Sequence, residues 1–244
     1  MFVKAIEKNR EWTYPLVIGK KGQKDIETII GTMIKINNDG CFLTAKHIAT
    51  PLIESLNTST DNVIFPFNIR NNTKIDIIVH KYLDIAVIKI NDMFLEGECP
   101  KFSNEVPSPG MSICKLGYAF NNPEPFTYDK KAKKVIINSK EAFEMPIFPY
   151  DGMITRTINF NIDNVIIKNA AFETSTAGLR GQSGGPIFDK DGLIYGIQTM
   201  NMTMPLNYSY INEENIHEQF INFGVGISSV KIIEFFKENK INYE

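Results

Sequence analysis

Three short segments of the sequence contain residue types that together could perform acyl transfer. They are Arg180-Gly181-Gln182-Ser183-Gly184-Gly185-Pro186, Thr44-Ala45-Lys46-His47 and Leu83-Asp84-Ile85-Ala86. A serine hydroxyl attacks a carbonyl only when a base takes its proton and preorganised donors stabilise the oxyanion that forms. The order along the chain, histidine then aspartate then serine, separates one fold family from others that use the same three residue types.

Ser183 lies between glycines that would let the backbone donate to a developing oxyanion. Glycine at 181 allows backbone angles that other residues avoid, so its N–H can point toward the same place as the N–H of Ser183. Because the motif leads into an apolar strand that begins at Pro186, the sequence favours a catalytic serine. A turn that only joins two strands is the other interpretation, since the pattern G-x-S-G alone is common.

The sequence has three histidines, and His47 is the best candidate for the base. It follows an apolar strand over residues 41–45, so we expect it at a sheet edge, where it can reach across a cleft. His80 lies among alternating polar and apolar residues and is predicted to be a surface strand residue. His217 follows an acidic, asparagine-rich run and is predicted to lie in a solvated loop. A histidine within or beside the core is the alternative for His47.

Asp84 precedes a nearly continuous apolar run over residues 85–90, which predicts a core strand. A carboxylate at the start of such a strand is partly buried, and burial costs free energy unless the group is hydrogen-bonded. The N–H of an imidazole would satisfy it and would fix the tautomer whose other nitrogen can take the serine proton. An ordinary turn aspartate is the alternative, but it does not explain why all three candidates occur in one consistent order.

With these segments the chain resembles the trypsin/chymotrypsin-like serine proteases, and within them the HtrA-like bacterial branch. Further matching segments are residues 31–36, 115–118, 152–154, 174–186, 192–197 and 223–227. The resemblance implies that Ser183 is the nucleophile, that His47 is the general base and then acid, and that Asp84 orients the histidine. It further implies that the N–H groups of Gly181 and Ser183 form the oxyanion hole and that the substrate is a protein or peptide.

The same resemblance places the specificity pocket, although the sequence encodes it more weakly. Ala177 maps to the base of the pocket, and the walls map to Thr199, Met200, Asn201 and Gly226. We therefore expect no charge at the base and a preference for small to medium apolar side chains at P1, the substrate residue before the scissile bond. The hydroxyl of Thr199 is expected to support Asp84.

Two alternatives to an aligned enzyme remain open on the sequence. The chain could be a catalytically latent protease-fold module that a partner protein activates or binds, or the protease module of a larger assembly. A general esterase is less favoured, because the α/β-hydrolase order is serine, aspartate, histidine. Gln182 stands where the digestive members carry an aspartate that pairs with a newly cleaved N-terminus, so we expect no activation switch of that kind.

The rest of the sequence favours an all-β protein. Short apolar runs alternate with turn signals such as Asn38-Asp39-Gly40, and a single helical pattern comes late. We expect two six-stranded antiparallel β-barrels in a chymotrypsin-like arrangement, over approximately residues 1–105 and 106–227. A C-terminal helix over 228–241 would follow, capped by Ser228 or Ser229. Residues 1–244 would thus form a single protease domain.

Composition bounds the partners and the compartment. Residues 120–150 are predicted to be an inserted loop or hairpin, either a docking surface for a regulatory protein or a solvated excursion. A net charge of −2 argues against nucleic acid as a partner, and no run is apolar enough for a signal peptide or a membrane span. Three cysteines, an odd number, favour reduced thiols and a cytoplasmic location. No metal or cofactor is expected, because no cluster has ligand spacing.

Overall fold

The computed structural model describes residues 1–20, 26–58, 61–64, 74–119, 126–129, 134–137, 143–145, 147–212 and 215–243. Within these residues, three helices and fifteen strands follow one another. In order they are α1 (Val3–Arg10), β1 (Thr13–Lys20), β2 (Ile26–Lys35), β3 (Cys41–Thr44), α2 (Lys46–Thr58), β4 (Asp61–Ile64), β5 (Ile75–Val79), β6 (Ala86–Ile90), β7 (Ser112–Gly117), β8 (Phe126–Asp129), β9 (Lys134–Ile137), β10 (Phe143–Met145), β11 (Phe148–Ile162), β12 (Val165–Thr174), β13 (Pro186–Phe188), β14 (Ile194–Asn212), β15 (Asn215–Ser228) and α3 (Ser229–Glu238).

Strands β1 to β6 form the sheet of the N-terminal half. Their order across the sheet is β4-β1-β2-β3-β6-β5, and neighbouring strands are antiparallel. All of β3 and most of β6 are buried, as their apolar sequences predict. These two strands pair so that Thr44 lies opposite Ala86. The residues just after Thr44 and just before Ala86 therefore meet at one edge of the sheet, and these include His47 and Asp84.

Six further strands close into a barrel in the C-terminal half. Their order around the barrel is β11-β12-β15-β14-β13-β7, and β7 pairs with both β11 and β13. Four apolar side chains with no exposed surface pack together there: Ile113, Ile154, Phe172 and Ile187. These two antiparallel halves confirm the predicted all-β, chymotrypsin-like class, with a C-terminal helix after the second.

Helix α3 packs against the largest core cluster through Ile232, Ile233, Phe235 and Phe236. The predicted cap at its start is wrong in detail. Ser228 occupies the N-cap position, but its side chain makes no capping hydrogen bond. The hydroxyl of Ser229 instead donates to the Ser103 carbonyl at 2.7 Å. This bond ties the helix to the connection between β6 and β7, so the serine acts in tertiary packing.

The sequence pattern predicts one helix, but the described residues form three. Helix α1 is short, and its Asn9 amide donates both to the carbonyl of Ala5 and to the carbonyl of Gly192 in the C-terminal half. Helix α2 contains Pro51, which removes a backbone donor and usually ends a helix. In α1 a long-range hydrogen bond outweighs the weak local signal. In α2 the buried side chains of Ile48 and Leu52 do so.

Within residues 120–150, the described parts are strands. β8 and β9 form a hairpin, β10 pairs with β9, and β8 joins the N-terminal sheet where Phe126 lies opposite Ile26. The side chains on which partner docking would depend lie largely outside the described residues, so that role stays a prediction.

His217 lies in β15 opposite Tyr210, because the β14–β15 hairpin extends further than the sequence indicates. Among the described helices, none has both the length and the apolar character that crossing a bilayer requires.

Candidate active site

A short hydrogen bond joins the predicted base His47 to Asp84. His47 is the second residue of α2, and Asp84 lies in the turn between β5 and β6. Its Nδ1 lies 2.7 Å from Asp84 Oδ2, and its backbone N–H donates to Oδ1 at 2.9 Å. Because a carboxylate accepts, Nδ1 carries the proton and Nε2 is left as an acceptor. The imidazole is 47% exposed and the carboxylate 19%, so the ring faces solvent while the acid lies beneath it.

A turn organised by His80 presents Asp84. The backbone N–H groups of Tyr82 and Leu83 donate to His80 Nδ1 at 3.0 and 2.9 Å. The backbone N–H of His80 donates to the carbonyl of Ile85. The ring lies 5.3 Å from that of Phe235 in α3, centroid to centroid. Burial lowers the pKa of His80, which favours the neutral ring that these two donors require. The prediction of a surface strand residue is therefore wrong, because the ring is half-buried and closes the turn.

The loop before Ser183 holds Gly181 in a left-handed conformation. The N–H of Gln182 donates to the carbonyl of Leu179 at 2.9 Å, and Gly181 has φ of +96° at the third position of this turn. That position in a type II turn requires a positive φ, which favours glycine. A Cβ at 181 would also lie 2.1 Å from the carbonyl oxygen of Tyr118. Both constraints explain why glycine stands here.

Gln182 anchors the same loop from the inside. Its side chain has no exposed surface, its Oε1 accepts from the N–H of Leu179 at 2.9 Å, and its Nε2 donates to the carbonyl of Phe148 at 3.2 Å. These neutral hydrogen bonds satisfy both ends of the buried amide. The loop therefore has an internal support that needs no ion pair with a chain terminus.

Thr32 of β2 connects the serine loop to the N-terminal sheet. Its N–H donates to the carbonyl of Ser183 at 2.8 Å, and its hydroxyl donates to the carbonyl of Gly181 at 2.7 Å. The same hydroxyl accepts from the N–H of Tyr118 at 3.1 Å. Because the Gly181 carbonyl is bound to Thr32, the peptide that joins Gly181 to Gln182 is fixed in orientation. The two halves of the molecule thus meet at the serine loop.

The Ser183 hydroxyl and two backbone donors remain available in this arrangement. Its Oγ lies 3.5 Å from the carbonyl of Thr199, and the structure shows no hydrogen bond between Ser183 and His47. In the described part of the chain, neither the N–H of Gly181 nor that of Ser183 donates to a protein acceptor. Two unpaired N–H groups beside a serine hydroxyl form an arrangement that can stabilise an oxyanion.

A model of the trypsin-like peptidase domain matches residues 31–197, which is more than half of the chain and includes His47, Asp84 and Ser183. The chain belongs to this trypsin-like peptidase family. No curated protein matches it.

In this trypsin-like peptidase, the predicted wall residue Asn201 is hydrogen-bonded to the backbone next to the predicted base of the specificity pocket. The N–H of Gly178 donates to Asn201 Oδ1 at 2.6 Å, and Asn201 Nδ2 donates to the Gly178 carbonyl at 2.8 Å. Gly178 directly follows Ala177, which is half-buried. Met200, the next wall residue, is 42% exposed. Asn201 therefore holds the backbone beside the predicted base.

The hydroxyl of Thr199 does not support Asp84 as predicted. It donates to the carbonyl of Val225 at 3.3 Å, along the β14–β15 pair, and its own carbonyl is the one nearest Ser183 Oγ. A Cβ on Gly226 would meet Ile187 and Phe172 in the barrel interior. Gly224, two residues earlier, is the glycine that pairs with Asn201. Gly224 rather than Gly226 is therefore the glycine that lies beside the predicted wall residue Asn201.

A buried cation, Lys115 of β7, lies beside the segment for which an uncharged pocket base is expected. This lysine has no exposed surface, and its Nζ donates to the carbonyl of Thr176, the residue before Ala177. Lys115 comes from β7, a distant strand of the barrel, and is not among the residues predicted for the pocket. Among the residues that the structure describes, no three or more His, Cys, Asp or Glu side chains lie close enough to hold a metal ion.

Replacing Thr32 with valine tests how the serine loop is held. The change keeps the shape of the side chain but leaves the Gly181 carbonyl and the Tyr118 N–H without their partner, so we expect about 1–3 kcal/mol of destabilisation. We also expect kcat for a peptide substrate to fall by about 10- to 100-fold with KM little changed, because an oxyanion donor is less well held.

Two controls make this result specific. Thr32→Ser retains the hydroxyl and should restore kcat. Thr13→Val removes another buried threonine hydroxyl, which donates to the carbonyl of Asn9 in α1 and not to the serine loop, and should reduce stability without reducing kcat. Equal losses of kcat in Thr32→Val and Thr13→Val would contradict the role assigned to Thr32.

His80 should make stability depend on pH. Because burial holds its pKa below the ordinary 6.5, the unfolded chain binds more protons between that lowered value and 6.5, so stability falls as pH decreases through this window. His80→Asn keeps an acceptor near the position of Nδ1 but cannot titrate. We expect urea unfolding curves of this variant to show a smaller loss of stability from pH 7.5 to about 5 than wild type. An identical pH dependence in both proteins would contradict the assignment.

Proposed function

We propose that this chain is a serine endopeptidase that works through a Ser183–His47–Asp84 triad and an acyl-enzyme intermediate. The observation that carries the proposal is the pair of hydrogen bonds between Asp84 and His47, the proposed base. Both oxygens of Asp84 are bound to His47, one to the ring and one to the backbone N–H, so Nε2 is the ring atom left to accept a proton. The left-handed turn at Gly181 adds the second part, a pair of backbone donors beside the serine that have no acceptor among the described residues.

The reaction would proceed in two halves. Ser183 Oγ forms a bond to the scissile carbonyl carbon while His47 Nε2 takes the hydroxyl proton, and the carbonyl electrons move to the oxygen. The N–H groups of Gly181 and Ser183 would stabilise that oxyanion. On collapse the C–N bond breaks, His47 gives its proton to the leaving amine, and the acyl group stays on Ser183. Water, activated by His47, then releases the acid and restores the serine.

One hydrogen bond of the triad must form when substrate binds. In the free protein Ser183 Oγ is oriented toward the carbonyl of Thr199 at the long distance of 3.5 Å, so a rotation about the Cα–Cβ bond costs little. Catalytic hydrogen bonds often tighten only in the substrate complex. The conformation of Gly181 favours an aligned enzyme over a latent module, because its N–H is not used within the described protein.

We also propose a reducing compartment, the cytoplasm. Cys41, Cys99 and Cys114 are all free thiols, and burial raises the pKa of Cys114 to about 12, so this thiol stays protonated and unreactive. The HtrA-like bacterial affinity remains a proposal on the sequence segments alone. Gln182, satisfied by neutral hydrogen bonds, supports an enzyme that needs no cleavage of its N-terminus.

A fluorophosphonate probe tests the proposal, because it reacts only with a serine that has both a working base and an oxyanion site. We expect the purified protein to be labelled and Ser183→Ala to be unlabelled. Asp84→Asn should lower kcat by three to four orders of magnitude, since the imidazole loses the acceptor that fixes its tautomer. Ser112→Ala, an exposed serine at the start of β7, is the matched control and should label as wild type does. Absence of labelling in the purified wild-type protein would contradict an aligned enzyme.

A further inference from the structure

Lys115 is the most unusual charged residue of the barrel. It shares a face of β7 with Ile113, since residues two apart in a strand point the same way. Ile113 packs with Phe172 and Ile187, so the lysine stem extends into apolar surroundings. The side chain is wholly buried, and its ammonium has one hydrogen-bond acceptor, the Thr176 carbonyl, in the described part of the protein. Two of its three donors are therefore left for another partner.

The ammonium lies against the backbone that carries the predicted base of the specificity pocket. Thr176, its acceptor, directly precedes Ala177, the predicted base. A Cβ on Gly224 would lie 2.4 Å from Lys115 Nζ, so the charge rests against a glycine. Gly224 in turn pairs with Asn201, a wall residue of the pocket. A side chain that enters between these walls would meet a cation at its end.

No carboxylate of the described residues neutralises this charge. The acid next to the region, Glu173, is already bound by Arg156 and by the hydroxyl of Thr155. A buried cation without a counter-ion is costly, and a protein relieves the cost by neutralising the group or by binding an anion. Burial alone lowers the pKa of Lys115 to about 7, with no contribution from another charged group. At neutral pH Lys115 is therefore partly protonated in the free protein.

We propose that Lys115 makes this peptidase select substrates with glutamate or aspartate at P1. The inference rests on the proposed function, and it replaces the expectation of an apolar P1 residue. The carboxylate of the substrate would accept from the two free ammonium donors and supply the missing counter-charge. A charge-assisted hydrogen bond of this kind, made in a buried site, is stronger than a neutral one.

The strongest competing P1 residue is glutamine. Gln198 is buried beside Gly178, and its Oε1 has no hydrogen-bond partner among the described atoms. This oxygen could accept from the amide of a P1 glutamine, whereas it offers nothing to a carboxylate. Glutamine is also nearly the same size as glutamate. A comparison of the two therefore isolates the effect of charge.

The test uses a peptide series that differs only at P1, with Glu, Asp, Gln, Leu and Lys, and measures kcat/KM. At pH 6.5 we expect Glu or Asp to exceed both Gln and Leu by about 10- to 100-fold, which corresponds to a hydrogen bond between charged groups. The ratio of Glu to Leu should fall as pH rises through about 7, because free enzyme with neutral Lys115 loses the attraction. Taking the ratio cancels the titration of His47.

Lys115→Met removes the charge and keeps the length of the side chain. Replacing a buried charge by an apolar group of similar size is often neutral or stabilising, so we expect the variant to fold, to react with the fluorophosphonate probe and to lose the acidic preference. Lys168→Met, an exposed lysine of β12, is the control and should keep the preference.

Each outcome decides between the proposals. A wild-type enzyme that cleaves Gln or Leu peptides as well as Glu peptides would overturn the role of Lys115 and leave the proposed peptidase intact, whatever the variant does. A preference for Gln over Glu would assign the pocket to Gln198 instead. Failure of the probe to label Ser183, with no peptide cleaved, would overturn the peptidase and this inference together.

Discussion

The hydrogen bond from the Thr32 hydroxyl to the Gly181 carbonyl, 2.7 Å long, is the constraint on which the site depends. It fixes the peptide that joins Gly181 to Gln182. This peptide lies between the N–H groups of Gly181 and Ser183, so it helps to set the direction of both. Thr32 belongs to the N-terminal sheet, and Gly181 to the loop before the C-terminal β13. Gly184 shows how closely the parts fit, because a Cβ there would lie 2.1 Å from the Thr32 carbonyl oxygen. One threonine thus couples the packing of the two halves to the loop of the proposed oxyanion site.

The proposed base, His47, is also held by contacts between separate elements of the fold. The pairing of β3 with β6 brings the start of α2 to the turn that contains Asp84, and this turn closes on the neutral ring of His80. His80 in turn lies against Phe235 of the C-terminal helix. The acid and the serine loop are therefore both fixed by contacts between elements far apart in sequence. The active site lies where these long-range contacts converge.

The sequence predicts the parts of this site whose signals are local. The serine motif, the aspartate before an apolar strand and the alternation of strands and turns all follow from neighbouring residues, and the fold class follows from them. Thr32, His80 and Lys115 were missed, because each acquires its role only through contact with a distant part of the fold or through burial. Lys115 is the clearest case, since nothing in the neighbouring residues indicates that its ammonium reaches Thr176. Helix α2 was missed for a similar reason, because buried contacts override Pro51.

The most direct measurement of the central claim is a crystal structure of the protein after reaction with a fluorophosphonate. The account predicts a phosphoryl oxygen about 3 Å from the N–H groups of both Gly181 and Ser183. It also predicts that the Gly181 carbonyl still accepts from Thr32 and that the His47–Asp84 pair is unchanged. A rotated peptide between Arg180 and Gly181, or a phosphoryl oxygen bound elsewhere, would contradict it.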